Sequence, residues 1–434
     1  MGEFDVGMIL GRLARLNGGF ANRELAGRAL VLGLVTLSAS LAMNLYVPAF
    51  PKMAADLGVD GRTIQLSVSS YLAALAIGQN IYGPLSDRHG RRIPLCAGLA
   101  IYALASIGTA TAQSAEALML WRFMQGLGAC AAMVIPRAVV RDLYTGVEAA
   151  SMLSMVMVVV SVAPLMAPML GSAMSAVLPW NALFWFMAAA AAGSLLLVLA
   201  RLPESCPVDR RAPGGIGAMV GRYRTLLADR RFVAQVALLA FAQSGYFIFL
   251  AGSPQVFLQV HGLATWQYSL VFAITAIAWV GTAQFAARLI GRLGAERLGK
   301  IALGIGSIVM LSLFAVTALG GGQLFLLVAA VMILFGAVGI TIPTVTVVAL
   351  HEHGRAAGTA TALIGTLNFA MGAVMSGLLG MLPGGTELPM VGLMTACTVA
   401  AWASSRIGLS ERPGGPSTAP QAATEGPVAD QRAP

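Results

Sequence analysis

Arg122 is the residue in this chain best placed to do chemistry, because it stands roughly two turns inside an apolar stretch, where a charge is costly and marks a substrate, ion or proton site. Its context is Leu120-Trp121-Arg122-Phe123-Met124-Gln125-Gly126-Leu127-Gly128-Ala129, with the Gln125 amide three residues on. The alternative is a structural arginine whose stem packs while its head snorkels to an interface. No carboxylate accompanies it in mid-span. Asp87 and Asp142 fall at helix ends, and Asp56, Asp60, Glu116 and Glu387 fall in loops on the other side. Further polar candidates inside apolar runs are Tyr71, Gln79, Gln243, Tyr246, Gln284 and Asn368, each equally suited to bridging packed helices. Phe247, Phe335 and Phe369 are candidates to line an apolar cavity.

These residues need helices to hold them. The chain has 434 residues, 58% hydrophobic and only 10% charged, too few charges for a water-facing surface. Stretches of roughly 20 apolar residues fall near 28–50, 64–84, 93–112, 116–138, 147–172, 181–201, 231–253, 267–290, 299–319, 323–349, 357–382 and 388–406. The alternation of a membrane barrel is missing, so the expected fold is all-α, with about twelve transmembrane helices. A Pro-, Gly- and Arg-rich linker over 202–230 divides two six-helix bundles, 28–201 and 231–406. Residues 1–27 form an N-terminal segment and 407–434 a tail read as disordered.

Net charge is +9, but the basic residues gather in short loops after even-numbered spans rather than in one stripe, which argues against nucleic acid and puts both termini in the cytoplasm. The densest cluster is Gly83-Pro84-Leu85-Ser86-Asp87-Arg88-His89-Gly90-Arg91-Arg92. Its arginines hold a short loop at the cytoplasmic face, and its glycines are expected to allow a tight reversal.

Gly-x-Leu-x-Asp-Arg-x-Gly-Arg-Arg resembles the signature loop between helices 2 and 3 of the major facilitator superfamily, and the Arg122–Gln125–Gly126 run resembles its second motif. Ala163-Pro164-Leu165-Met166-Ala167-Pro168-Met169-Leu170-Gly171 resembles the antiporter motif Gly-Pro-x-x-Gly, with Ala167 in place of the first glycine; an ordinary proline-kinked helix is the other reading. Together with Tyr46-Val47-Pro48, Arg137 … Val140-Arg141-Asp142-Leu143-Tyr144 and Leu202-Pro203-Glu204, these stretches look like the Bcr/CflA-like drug:proton antiporters.

The resemblance implies efflux of small amphipathic compounds by alternating access from a bacterial inner membrane, by a monomer using protons and no cofactor. It implies gating by Gly83, Asp87, Arg88, Gly90, Arg91, Arg92 and Asp142, with Asp142 on Arg91 and Asp87 against the start of span 11. It also implies an acid in span 1, where this chain has Asn44 before Tyr46. An amide cannot titrate, so coupling by that route is in doubt, and a cavity with Arg122 and no acid favours neutral or anionic compounds. An uncoupled facilitator, a substrate–proton symporter and a non-transporting membrane sensor are the alternatives.

No nucleophile–base pair lies in the spans, so an enzyme is not expected. Cys96, Cys130, Cys206 and Cys397 lack metal-binding spacing. His351-Glu352-His353 lacks the i, i+4 histidines of a zinc helix, so no metal is expected.

Overall fold

In hydrocarbon an apolar chain satisfies its backbone internally, and a run without strand alternation does so as a helix. The computed structural model describes residues 23–211, 216–352 and 357–409, and all regular structure among them is helical. Residues 410–434 of the tail, and His353 of the His351-Glu352-His353 run, fall outside the described residues, while residues 407 and 408 continue the last helix.

The first half begins with α1 (Arg23–Asn44), a 3-10 turn (Val47–Ala49) and α2 (Phe50–Leu57), one interrupted crossing. It continues with α3 (Gly61–His89), α4 (Arg92–Ala110), α5 (Ala115–Leu143), α6 (Gly146–Val177) and α7 (Asn181–Arg201). A linker helix, α8 (Ile216–Ala228), leads to α9 (Arg230–Pro254), which passes directly into a π-helical turn (Gln255–Val260). Then come α10 (Thr265–Leu293), α11 (Ala295–Ala318), α12 (Leu324–Glu352), α13 (Ala357–Met381) and α14 (Leu388–Gly408).

Three boundaries differ from the sequence reading. The first span breaks after Asn44, because Pro48 has no N–H to return to the Asn44 carbonyl. The second runs on to His89, so Gly83 and Pro84 lie inside α3 and take no part in the reversal. Gly90 makes the turn, with φ +87°. The linker is more ordered than its composition suggests: Leu226 of α8 joins Phe232, Val236, Ala360 and Leu363 in a small core between α8, α9 and α13.

Ten helical runs among the described residues are long and apolar enough to cross a bilayer, and α6 adds a shorter apolar stretch, Val162–Val177. The remaining crossing, α3, is too polar on average, carrying Gln65, Ser67, Ser69, Ser70, Gln79, Asn80 and Ser86. It can be polar because it faces protein. α3 packs on α5 within its own half and on α13 of the other, while α6 packs on α10. These two pairs join the halves, and one continuous apolar core runs through both.

Candidate functional site

The break in the first span creates the setting for Arg122. Ending α1 at Asn44 leaves its last carbonyls without intrahelical donors, at the negative end of the helix dipole. Arg122, on α5, is fully buried and donates through Nη1 to the Ala42 carbonyl at 3.0 Å and to Gln125 Oε1. Its guanidinium carbon lies 4.1 Å from the Tyr46 ring centre and 4.3 Å from that of Tyr71, so the cation is held between two aromatic faces. Desolvated cation–π contacts of this kind contribute about 2 kcal/mol or more. Gln125 extends the chain by donating to Ser106 Oγ at 2.7 Å. The rings are fixed in turn: Tyr46 OH meets Ser67 Oγ at 3.1 Å, and Tyr71 OH donates to the Ala39 carbonyl at 3.3 Å. Arg122 therefore does not snorkel. It is a buried cation compensated by a carbonyl, an amide and two rings, and its Nε has no partner.

Asn44 is the point where the halves touch at the centre. Its Oδ1 accepts from Tyr246 OH of α9 at 2.6 Å, and its Nδ2 donates to the Ser40 carbonyl at 3.3 Å. Tyr246 stands edge-on to Trp279, with ring centres 5.0 Å apart, and beside Phe247 and Phe335; Phe369 packs on Phe247. Gln243 is half-buried and Asn368 has a buried Oδ1 without a partner; neither is brought into hydrogen-bond range of Asn44 or Arg122. Gln284 is exposed, and Gln79 abuts Gly365 across the halves.

The arginine-rich end is held by charge. Arg91, 8% exposed, donates through Nε to Asp142 Oδ2 at 2.7 Å and through Nη1 to Ser86 Oγ at 2.8 Å and to Asp87. The expected Asp142–Arg91 contact is thus present. Asp87 turns to Arg91, and residues 353–356, next to the start of α13, are outside the described residues. Arg92 Nη2 bonds the Leu199 carbonyl at 2.5 Å, and Arg88 is exposed. Glu204 was not expected as a member of this cluster. Its carboxylate accepts from the backbone N–H groups of Arg91 (2.7 Å), Arg92 (3.1 Å) and Cys206 (3.0 Å), sealing the N-terminus of α4. A side chain on Gly90 would collide with it, its first carbon standing 2.5 Å from Oε2, so glycine is required for clearance as well as for φ. Burial opposes Glu204's charge, but those three donors and Arg211 outweigh it and hold the carboxyl below its usual range.

Along α3, three neutral pairs stitch the halves together: Gln65 Nε2 to Gln255 Oε1 at 2.6 Å, Ser69 to Ser376 at 2.9 Å, and Asn80 Nδ2 to Thr366 Oγ1 at 3.0 Å. Tyr223 of the linker helix donates to Asn80 Oδ1 at 2.9 Å.

The pattern of the Major Facilitator Superfamily matches residues 32–376. The chain belongs to this superfamily. It is 33% identical over 380 residues to the uncharacterized MFS-type transporter YdgK of Bacillus subtilis (strain 168), covering 87% of this chain and 94% of that one. It is 32% identical over 380 residues to a chloramphenicol resistance protein of Pseudomonas aeruginosa, covering 85% and 87%. Among solved structures it resembles a D-xylose–proton symporter, with TM-score 0.70, 16% identity, and 87% and 96% coverage. The chain is a multi-pass membrane transporter with the superfamily's fold, and drug-resistance proteins are among its relatives.

Within that fold α6 carries Pro164, Ala167, Pro168 and Gly171 against the broken first span. A first side-chain carbon on Gly171 would stand 1.9 Å from the Leu45 carbonyl oxygen, so only glycine lets the helix lie there. Ala167 is fully buried, and the Pro168 carbonyl accepts from Ser269 of α10 at 3.0 Å, a bond between halves. The residues that sequence reasoning passed over here are Ser67, Ser106, Phe184 and Trp279. The polarity of α3 was the one available signal, pointing to Ser67 and to the α3 seam.

Proposed function

We propose that this transporter exports small amphipathic compounds across a bacterial inner membrane as a monomer, by alternating access, with both termini in the cytoplasm. The seam along α3 carries this reading. Its bonds join neutral amides and hydroxyls, which exchange protein partners for water at small net cost, about 0.6 kcal/mol for a typical interhelical bond in a membrane. The ion pairs of Arg91, at the arginine-rich end, lie within the first half rather than across the seam. Halves joined so can part on one side and then the other, exposing the space around Asn44, Arg122 and Tyr246. The drug-resistance relatives and the proline pair in α6 support export as the direction.

Coupling to protons is the reading we adopt, by a route other than the span-1 acid, because Asn44 cannot titrate. That same residue favours an uncoupled facilitator as the second reading. The test is substrate-dependent proton flux in proteoliposomes, with the substrate found by a susceptibility screen of expressing cells. Uphill transport driven by a pH gradient is the expected result. Equilibration only, with coupling conferred by Asn44→Asp, would establish the facilitator.

A further inference from the structure

Asn368 of α13 carries an acceptor that the protein leaves unused. Its Oδ1 is buried without a hydrogen-bond partner, and such a group calls for an explanation, since buried polar atoms are almost always paired. Helical register places Asn368 on the α13 face toward α9. Gly372, one turn on, lies so close to α9 that an added side-chain carbon would stand 2.2 Å from the Phe247 ring. Phe369, the next residue, packs on Phe247 with ring centres 5.8 Å apart. Phe247 in turn meets Tyr246, which meets Trp279 and Phe335. The acceptor therefore stands at the edge of the aromatic surface of the second half.

Two further amides fall at the same level. α9 and α13 run in the same direction, with Phe247 beside Gly372 and Gly252 beside Leu379, so Gln243 is level with Asn368. Gln79 of α3 abuts Gly365, one turn before Asn368. Neither glutamine has a hydrogen-bond partner among the described residues, and both, like Asn368, Phe369 and Trp279, are half-buried. Elsewhere along the seam the neutral groups are paired, as Gln65, Ser69 and Asn80 are. Arg122 is fully buried behind its own partners, Tyr46, Tyr71 and Gln125. No ion pair or hydrogen bond among the described residues brings a carboxylate to the three amides.

We infer that Asn368 reads a hydrogen-bond donor on the substrate: it accepts an N–H or O–H from a neutral compound whose ring lies against Phe247 and Phe369. The inference rests on the export reading and names the substrate class for that site. The closed protein already bears the cost of burying Oδ1, so a substrate donor displaces no protein partner and gains its bond nearly in full. Gln243 and Gln79 each offer a donor and an acceptor to a second polar group. The aromatic surface takes a ring by offset or edge-on packing and imposes little further shape. A site of this kind admits varied ring compounds yet disfavours those whose donor is blocked, because the acceptor is then left unpaired beneath them.

The test uses two matched pairs of neutral probes: N-benzylbenzamide with its N-methyl derivative, and benzhydrol with its methyl ether. Equilibrium dialysis against the full chain in detergent, corrected for empty micelles, gives the dissociation constants. Each donor-bearing probe is expected to bind about ten-fold tighter than its methylated partner, the weight of one hydrogen bond. Asn368→Leu should weaken the donor-bearing probes to the level of their partners and leave the partners unchanged. Asn368→Asp, which keeps an acceptor oxygen, should retain the preference; thermal unfolding confirms that each variant is folded. The inference is overturned by no binding of the donor-bearing probes, by equal binding within both pairs, or by a preference that survives Asn368→Leu. Transport that persists in proteoliposomes beside such a result leaves the export reading standing. A preference that is lost in Asn368→Leu, in a chain that transports nothing, upholds the binding site and overturns the export reading.

Discussion

At the centre the two halves are joined by the Asn44–Tyr246 hydrogen bond, yet they are built differently on either side of it. The first half buries a cation: Arg122 sits among a helix-end carbonyl, an amide and two tyrosine rings, all supplied by its own helices. The second half presents aromatic surface, with Tyr246, Phe247, Trp279 and Phe335 in mutual contact. One side can hold charge and the other apolar bulk, which is the division an amphipathic substrate requires. It also shows that position in the fold, rather than residue type, separates the roles. Tyr46 and Tyr246 are both buried tyrosines, but one stacks on a cation while the other donates across the seam.

The strongest way to break this comparison is to remove the cation. Arg122→Met fills similar space without charge, so folding should be retained while transport falls on the order of 100-fold, the usual weight of one preorganised charge. Arg122→Lys should recover little, since an ammonium cannot lie flat between two rings. Transport assays and thermal unfolding together separate these outcomes; full transport by Arg122→Met would show the cation to be purely structural.

Gly171→Ala attacks the same half through its backbone. With its new carbon 1.9 Å from the Leu45 oxygen, α6 must shift, at about 1–3 kcal/mol. The melting temperature should fall, and labelling of cysteines along the seam should rise.

Tyr246→Phe sharpens the comparison by deleting only the central bond, from Tyr246 to Asn44. A loss of about 0.6 kcal/mol is expected, with faster opening of the seam. Asn44→Ala should produce a similar change, and the double variant little more than either alone. Additive effects would mean that the two residues do not act through each other.

The smallest effect belongs to the arginine-rich end. Glu204's carboxyl is held below its usual range in the folded protein, so its stabilising contribution is present above about pH 4.3 and is lost as pH falls through the lower folded value. Glu204→Gln should lower stability modestly at neutral pH and flatten the acid limb of a pH–stability profile measured in detergent. An unchanged acid limb would remove Glu204 from that cluster's energetics.

Much of the fold was legible because hydropathy and charge act along the chain against a fixed bilayer thickness. The spans, the linker and the arginine-rich loops follow from local composition. Arg122 and Asn44 were also legible, as a charge and an amide set in apolar stretches that make them conspicuous, while the Asp142–Arg91 contact came from the family resemblance alone. Less visible was anything decided by neighbours. Gly83 looked like a turn residue but lies inside α3, since the bilayer end of a helix can extend past its apolar stretch. Glu387 looked like a loop acid, and only the approach of α11, α14 and the π-helical turn buries it.

By itself, then, the sequence determined an all-helical membrane transporter of two halves, the end at which its arginines gather, and the lack of an acid in its first span. The tertiary structure alone decided the pairings: Tyr246 with Asn44 across 202 residues, Arg122 with Ala42 across 80, His261 with Glu387 across 126. The reason is physical. Crossing a bilayer is a property of each segment and its solvent, whereas the partner of a buried polar group is set by which helices pack together and at what rotation.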